Sequence, residues 1–149
     1  MKNKILVTGG AGYIGSHTCK ILSTNGFEPV AYDNLSMGHQ EYVKWGPFER
    51  GDILDTENLS AVIKKYQPIA AIHFAGSAYV NESIINPHKY INNNVSGTIS
   101  LLMAMERNSL KKIIFSSSCA TYGAPKNLKK ISENCKQKPI NPYGLSKLI

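Results

Sequence analysis

KILVTGGAGYIGSH, residues 4–17, decides the fold. Its first part is an apolar run that closes on glycines, the pattern of a buried strand entering a turn. Residues 13–26 then have helical spacing, with Ile14, Thr18, Ile21 and Leu22 on one face and Gly26 placed to cap the end. Between strand and helix, Gly9, Gly12 and Gly15 are spaced G-x-x-G-x-x-G. Glycines there permit a tight turn, close approach of a pyrophosphate to backbone, and close packing of helix on strand. The helix N-terminus then presents unsatisfied N–H groups to phosphate. No Lys-Ser/Thr pair follows the glycines, which excludes a nucleoside-triphosphate loop. The bland alternative is a glycine-rich turn that binds nothing.

Outward from this stretch, strands and helices alternate. FEPVAYDN (27–34) reads as a second strand with Pro29 near its start, and 35–46 as polar loop with room for a short helix. PFERGD (47–52) is a weak third strand. DTENLSAVIKKYQP (55–68) is a helix with Asp55 or Thr56 as N-cap, Leu59, Val62 and Ile63 inward, and Pro68 at its end. IAAIHFAG (69–76) is a fourth strand. Asn86 and Pro87 start one long helix through residue 108, and KKIIFSSS (111–118) is a fifth strand. Residues 124–140 read as a loop, after which Asn141 and Pro142 repeat the Asn-Pro helix start. Near-continuous apolar strands alternating with helices imply a parallel sheet covered on both faces. Ligands of such sheets bind at the carboxyl ends of the strands, where the glycine turn, HFAG and FSSS all lie.

Several side chains at those ends carry chemistry. Asp33, closing the second strand, can accept hydrogen bonds from adenosine ribose hydroxyls and would repel a 2′-phosphate, favouring NAD over NADP. With Asn34 it can equally form a simple turn. Asp52 can bind an adenine amino group, with Ile53 against the ring, or cap the next helix. His73 invites the role of base but reads as a structural strand-end histidine, and His17 reads as packing. Ser118 can hydrogen-bond a substrate oxygen or its own backbone. Tyr143 and Lys147 are four residues apart, hence on one helical face. A free phenol has a pKa of about 10. A neighbouring ammonium favours the phenolate, and a cationic nicotinamide ring would add to the shift.

Composition narrows the class. The 149 residues, 42% apolar, suit one domain with its own core, without a membrane-length apolar run or a signal peptide, so the expectation is a soluble, cytoplasmic protein. Cys19, Cys119 and Cys135 are odd in number and form no CxxC pair, so neither disulfides nor a zinc site are expected. The net charge of +7 owes much to Lys111, Lys112, Lys126, Lys129, Lys130, Lys136 and Lys138. No aromatic residues interleave with them, so they read as a solvated face rather than a nucleic-acid surface, one able to steer an anionic small substrate.

Taken in order, the glycine spacing, DNLS, GDILD, HFAG, NNNVSGT, FSSSCATYG and NPYGLSK resemble the extended branch of the short-chain dehydrogenase/reductase family across the whole chain. Within that branch the pattern is similar to the UDP-sugar 4-epimerases. The resemblance implies a Rossmann-type, doubly wound parallel α/β sheet and a tightly held NAD used and regenerated in each turnover. It implies that Tyr143 takes the proton of the sugar 4-hydroxyl while hydride moves from C4 to the nicotinamide, and that both return to the other face. Ser118 would bind the same oxygen, and Lys147 the nicotinamide ribose. Around the cofactor the family pattern falls on Gly9, Gly12, Tyr13, Ile14, Gly15, Asp33, Asn34, Asp52, Ile53, Phe74, Ala75, Gly76, Ser116, Tyr143, Lys147 and one asparagine of the run, Asn93 being favoured.

The expected substrate is a UDP-hexose, UDP-glucose or UDP-galactose, with no metal and a homodimer as the assembly. Related epimerases of UDP-xylose and UDP-arabinose read similarly. Sugar-nucleotide dehydratases carry an Asp-Glu pair after the hydroxyl residue; Cys119 and Ala120 stand there, which argues against dehydration. Family members are longer than this chain, so residues 1–149 are expected to be an NAD-binding domain incomplete at its C-terminus and lacking the substrate domain. A non-catalytic NAD-binding module and an NAD-dependent dehydrogenase of the same fold remain the competing expectations.

Overall fold

The computed structural model describes residues 2–125 and 130–149. Five strands, β1 (Lys4–Thr8), β2 (Glu28–Asp33), β3 (Phe48–Arg50), β4 (Ala70–His73) and β5 (Ile113–Phe115), form one sheet in the order β3-β2-β1-β4-β5. Every pairing is parallel. The helices are α1 (Tyr13–Thr24), α2 (Thr56–Tyr66), α3 (Val80–Ile85), α4 (Pro87–Tyr90), α5 (Gly97–Arg107) and α6 (Pro142–Leu148). The chain divides into two compact units. One comprises Met1–Ala75 and Gly97–Ser116 and holds the whole sheet; the other comprises Gly76–Ser96 and Ser117–Ile149.

In the first unit the strand pleat sorts apolar side chains to two faces. Leu6, Val30, Tyr32 and Ala71 join Leu59, Val62 and Ile63 of α2 and Leu101, Ala104 and Met105 of α5 in one core. Ile5, Val7, Ala31 and Ile72 join Cys19 and Leu22 of α1 in the other. Helices therefore cover both faces, and the strand order reverses between β1 and β4, as in a doubly wound Rossmann-type sheet. Asp55 caps α2, its Oδ1 accepting from Asn58 N at 2.9 Å, and the helix ends at Gln67 (φ 48°), just before Pro68.

The structure corrects the face of α1. Ile14 and Ile21 are largely exposed, and the helix buries Gly15, Ser16 and Cys19 instead. It lies so close to the turn before it that only small side chains fit beneath it. A Cβ on Gly15 would stand 2.1 Å from the Gly9 carbonyl oxygen. Burial pushes the Cys19 thiol pKa up to about 12, so this thiol is inert packing.

The second unit departs further from expectation. The long helix expected from residue 86 is interrupted: α4 gives way to a single π-helical stretch, Ile91–Ser96, before α5. Asn86 does cap α4, accepting from Lys89 N at 3.3 Å, but it also ends α3, which the sequence did not disclose. The Asn-Pro pair reads as one helix start and hides the short helix before it. Ser118 caps a 3-10 turn, Cys119–Tyr122. Asn141 caps α6, accepting from Gly144 N at 2.7 Å, as the second Asn-Pro pair implied. Lys126 and Lys129 of the basic cluster lie outside the described residues. Among the described residues no helix is long and apolar enough to cross a membrane.

Candidate cofactor and catalytic residues

The first unit builds the glycine turn at the carboxyl end of the central strand. Gly9 has φ 71°, a left-handed conformation, and a Cβ there would lie 2.7 Å from Ala75 N. Its N–H donates to Tyr32 O at 2.8 Å, and its carbonyl accepts from Gly12 N at 3.1 Å. A Cβ on Gly12 would meet only Gly9 O, at 3.2 Å, so this glycine borders open space at the start of α1. No side chain caps α1, and its first turn contains no acid. The first N–H groups of a 12-residue helix are thus left to solvent or to an anion. Tyr13, strongly exposed, and Ile14 flank this end.

Asp33 closes β2 beside that turn and is buried. Its Oδ2 accepts from Ala11 N at 3.0 Å and its Oδ1 from Leu35 N at 2.8 Å. The turn role is therefore real. It does not exclude the ligand role, because each carboxylate oxygen keeps a second acceptor site. Asn34 Nδ2 donates to Asp52 Oδ2 at 3.0 Å, and Asp52 Oδ1 accepts from Leu54 N at 2.9 Å. Ile53 points into the core, where Gly97 leaves room for it: a Cβ on Gly97 would stand 2.6 Å from Ile53 Cγ2. What Ile53 can offer a nucleotide is its backbone. Phe74 and Ala75 run against Gly9, as close approach of backbone requires. Ser116 continues β5, its N–H donating to His73 O at 3.1 Å.

His73 is structural. Its ring is buried, with Nδ1 2.6 Å from Thr8 Oγ1 and Nε2 3.0 Å from Thr98 Oγ1. His17 stays on α1, with Nδ1 2.8 Å from Tyr13 O.

Tyr143, Lys147 and Ser118, expected from the sequence to carry proton transfer, all lie in the second unit. Tyr143 is half-buried in the first turn of α6, and Lys147 is buried one turn later. Burial lowers the Lys147 pKa from its ordinary value. Gly76 passes close by: a Cβ there would lie 3.2 Å from Lys147 Nζ and 3.3 Å from Asn94 Oδ1. Ser118 Oγ accepts from Ala120 N at 3.1 Å. Such a hydroxyl is oriented by the bond it accepts and still has its proton to donate.

Two residues here went unread in the sequence. Asn94, rather than its neighbour, is the buried asparagine of the run. Its Oδ1 accepts from Ser77 N (2.8 Å) and its Nδ2 donates to Ser77 O (3.0 Å) and Ser146 Oγ (2.9 Å). Asn93, half-buried, donates to Asn94 Oδ1 at 3.0 Å. Ser146, between Tyr143 and Lys147, donates to Tyr143 O at 2.8 Å. The available signal was position: Asn94 lies four residues past Tyr90, on what would be the buried side of an uninterrupted helix.

A turn of this kind at the strand-order reversal, with an acid closing the neighbouring strand, defines an α/β fold of the dinucleotide-binding class. The chain belongs to the NAD dependent epimerase/dehydratase family, whose model matches residues 5–149. It is 51% identical over 147 residues to the UDP-glucose 4-epimerase of Rhizobium meliloti (strain 1021), covering 99% of this chain and 44% of that protein. The UDP-glucose 4-epimerase from Brucella ovis, solved in complex with NAD, superposes with a TM-score of 0.96 at 57% identity, over 98% of this chain and 45% of that one. A UDP-glucose 4-epimerase from Stenotrophomonas maltophila, solved with NAD and formylated UDP-arabinopyranose, superposes at 0.94 and 35% identity, over 99% and 46% of the two chains. The chain thus spans a little under half the length of these relatives.

Proposed function

We propose that this chain carries the NAD-binding and proton-transfer residues of a cytoplasmic UDP-hexose 4-epimerase that interconverts UDP-glucose and UDP-galactose. The observation that carries the reading is Lys147, a buried lysine one helical turn from Tyr143. An ammonium one helical turn from a tyrosine favours the phenolate, the form of the phenol that can take a proton.

The glycine turn suits NAD. The uncapped end of α1 receives the pyrophosphate, Gly12 leaves it room, and Asp33 accepts from the adenosine ribose while repelling a 2′-phosphate. Tyr13, Ile14, Gly15, Asn34, Asp52, Ile53, Phe74, Ala75, Gly76, Asn93 and Ser116 complete the surroundings of the cofactor in this proposal. Bound there, NAD would supply the acceptor for the hydride from sugar C4 and the source of its return. Tyr143 removes the 4-hydroxyl proton and later returns it. Ser118, its oxygen already accepting from Ala120 N, donates to the same sugar oxygen. Lys147 supplies positive charge where the Tyr143 oxygen becomes negative, and holds the nicotinamide ribose. Cys119 and Ala120 provide no acid for water elimination.

The test is to release the nucleotide from purified protein and assay UDP-galactose formation from UDP-glucose. Near-stoichiometric bound NAD and sugar interconversion without net NADH are expected. Steady NADH release would make the protein a dehydrogenase, and nucleotide-free folded protein would remove the reading altogether. A UDP-pentose is the second substrate reading, favoured by the arabinose nucleotide held in the Stenotrophomonas relative.

A homodimer is part of the proposal. It is supported by Ile99, Leu102 and Met103 on α5, which leave about half of their surface exposed at i, i+3, i+4 spacing. Light scattering should give twice the protomer mass, and a monomer at micromolar concentration would exclude it.

A further inference from the structure

Tyr90 is wholly buried, although it ends a helix of only four residues. Two acceptors hold its phenol. Its single hydroxyl proton is shared between Tyr79 O at 2.6 Å and Glu82 Oε2 at 2.7 Å. Glu82 is itself fixed, accepting from Lys89 Nζ at 2.5 Å. Burial, and then the Glu82 hydrogen bond, push the Tyr90 pKa up to about 12, so at neutral pH it is a neutral donor and no rival base. Its ring meets the ring of Tyr143 edge to face, with centroids 6.3 Å apart and planes at 82°. That is a preferred arrangement of two aromatic quadrupoles.

Tyr143 needs such a wall. It sits in the first turn of the seven-residue α6, where helical backbone fixes its Cα–Cβ direction but not the plane of its ring. We infer that Tyr90 is a positioning residue for Tyr143: its buried ring, packed edge to face, sets the plane in which the Tyr143 phenol is presented. The inference rests on the reading of Tyr143 as the base.

The experiment is a double-mutant cycle in the active protein, pairing Tyr90→Leu with Tyr143→Phe, with Tyr90→Phe as the conservative control. A base displaced by a fraction of an ångström loses turnover more than binding. Tyr90→Leu should therefore lower kcat by about tenfold or more with KM and bound NAD unchanged. Tyr90→Phe, which keeps the ring, should restore kcat to within about threefold of the wild type. In the Tyr143→Phe background, Tyr90→Leu should cost nothing further, because its effect passes through the Tyr143 ring. A Tyr90→Leu enzyme with wild-type kcat, equal losses in the Leu and Phe variants, or an undiminished loss in the Tyr143→Phe background would each overturn the inference. Should Tyr90→Leu not fold, ring-proton NOEs between residues 90 and 143 in the wild type decide, and their absence overturns it. Wild-type turnover of Tyr143→Phe alone would instead overturn the assignment of the base.

Discussion

In the proposed epimerase, Tyr143→Phe is expected to lower turnover by about 10²–10⁴-fold, the usual contribution of a positioned general acid or base. NAD content and melting temperature should stay near those of the wild type. The substitution removes one oxygen from a half-buried ring and leaves the edge contact with Tyr90 in place. Phe at this position keeps the α6 backbone, whose cap is Asn141 and whose internal tie is Ser146 to the residue-143 carbonyl. The expected signature is therefore a lost kcat with unchanged bound nucleotide. Turnover within a few-fold of the wild type would show that another group moves the proton. Ser118 would then be the next to test, since its hydroxyl keeps a proton to donate.

The second large effect is expected at Gly15. A methyl there would lie 2.1 Å from the Gly9 carbonyl oxygen and 2.9 Å from Gly10 Cα. Both are backbone atoms, so no rotamer change relieves the clash; α1 must lift from the turn. Overpacking of a core typically costs about 1–3 kcal/mol. In a chain of this size that is roughly 2–12 °C of melting temperature. Gly15→Ala should also abolish stoichiometric NAD, because lifting α1 removes its N-terminus from the turn. Gly12→Ala separates the two effects. Its methyl meets only one protein atom, at 3.2 Å, so melting should change little while NAD is lost to a methyl in the anion's path. If Gly15→Ala melted with the wild type and retained NAD, the close packing of α1 on the turn would be wrong. If Gly12→Ala bound NAD normally, the pyrophosphate would have to lie elsewhere.

Legibility followed the range of the interaction. The strand–turn–helix stretch at residues 4–17, the caps at Asp55, Asn86 and Asn141, and the positions of Asp33, Tyr143 and Lys147 are local properties, and all could be read from neighbouring residues. His73 reads from its strand-end position as structural, but what holds it is not local. Its ring nitrogens are engaged by the hydroxyls of Thr8 and Thr98, 65 and 25 residues away. The apolar face of α1 misled because periodicity reports which residues could be buried, whereas the closeness of the Gly9–Gly15 approach selects small ones. The interruption of the long helix was invisible for a similar reason. Nothing in INNNVS forbids α-helix, but the buried Asn94 finds Ser77 and Ser146 as partners.

By itself, then, the sequence determined the alternation of parallel strands and helices, the glycine turn with its acid, and the Tyr143–Lys147 pair, because each rests on backbone propensity and spacing within a few turns of chain. Only the tertiary structure decided which asparagine is buried, which hydroxyls hold His73, and that Tyr143 has Tyr90 as a wall. Those outcomes depend on hydrogen bonds and ring contacts between residues distant in sequence, and no local pattern encodes them.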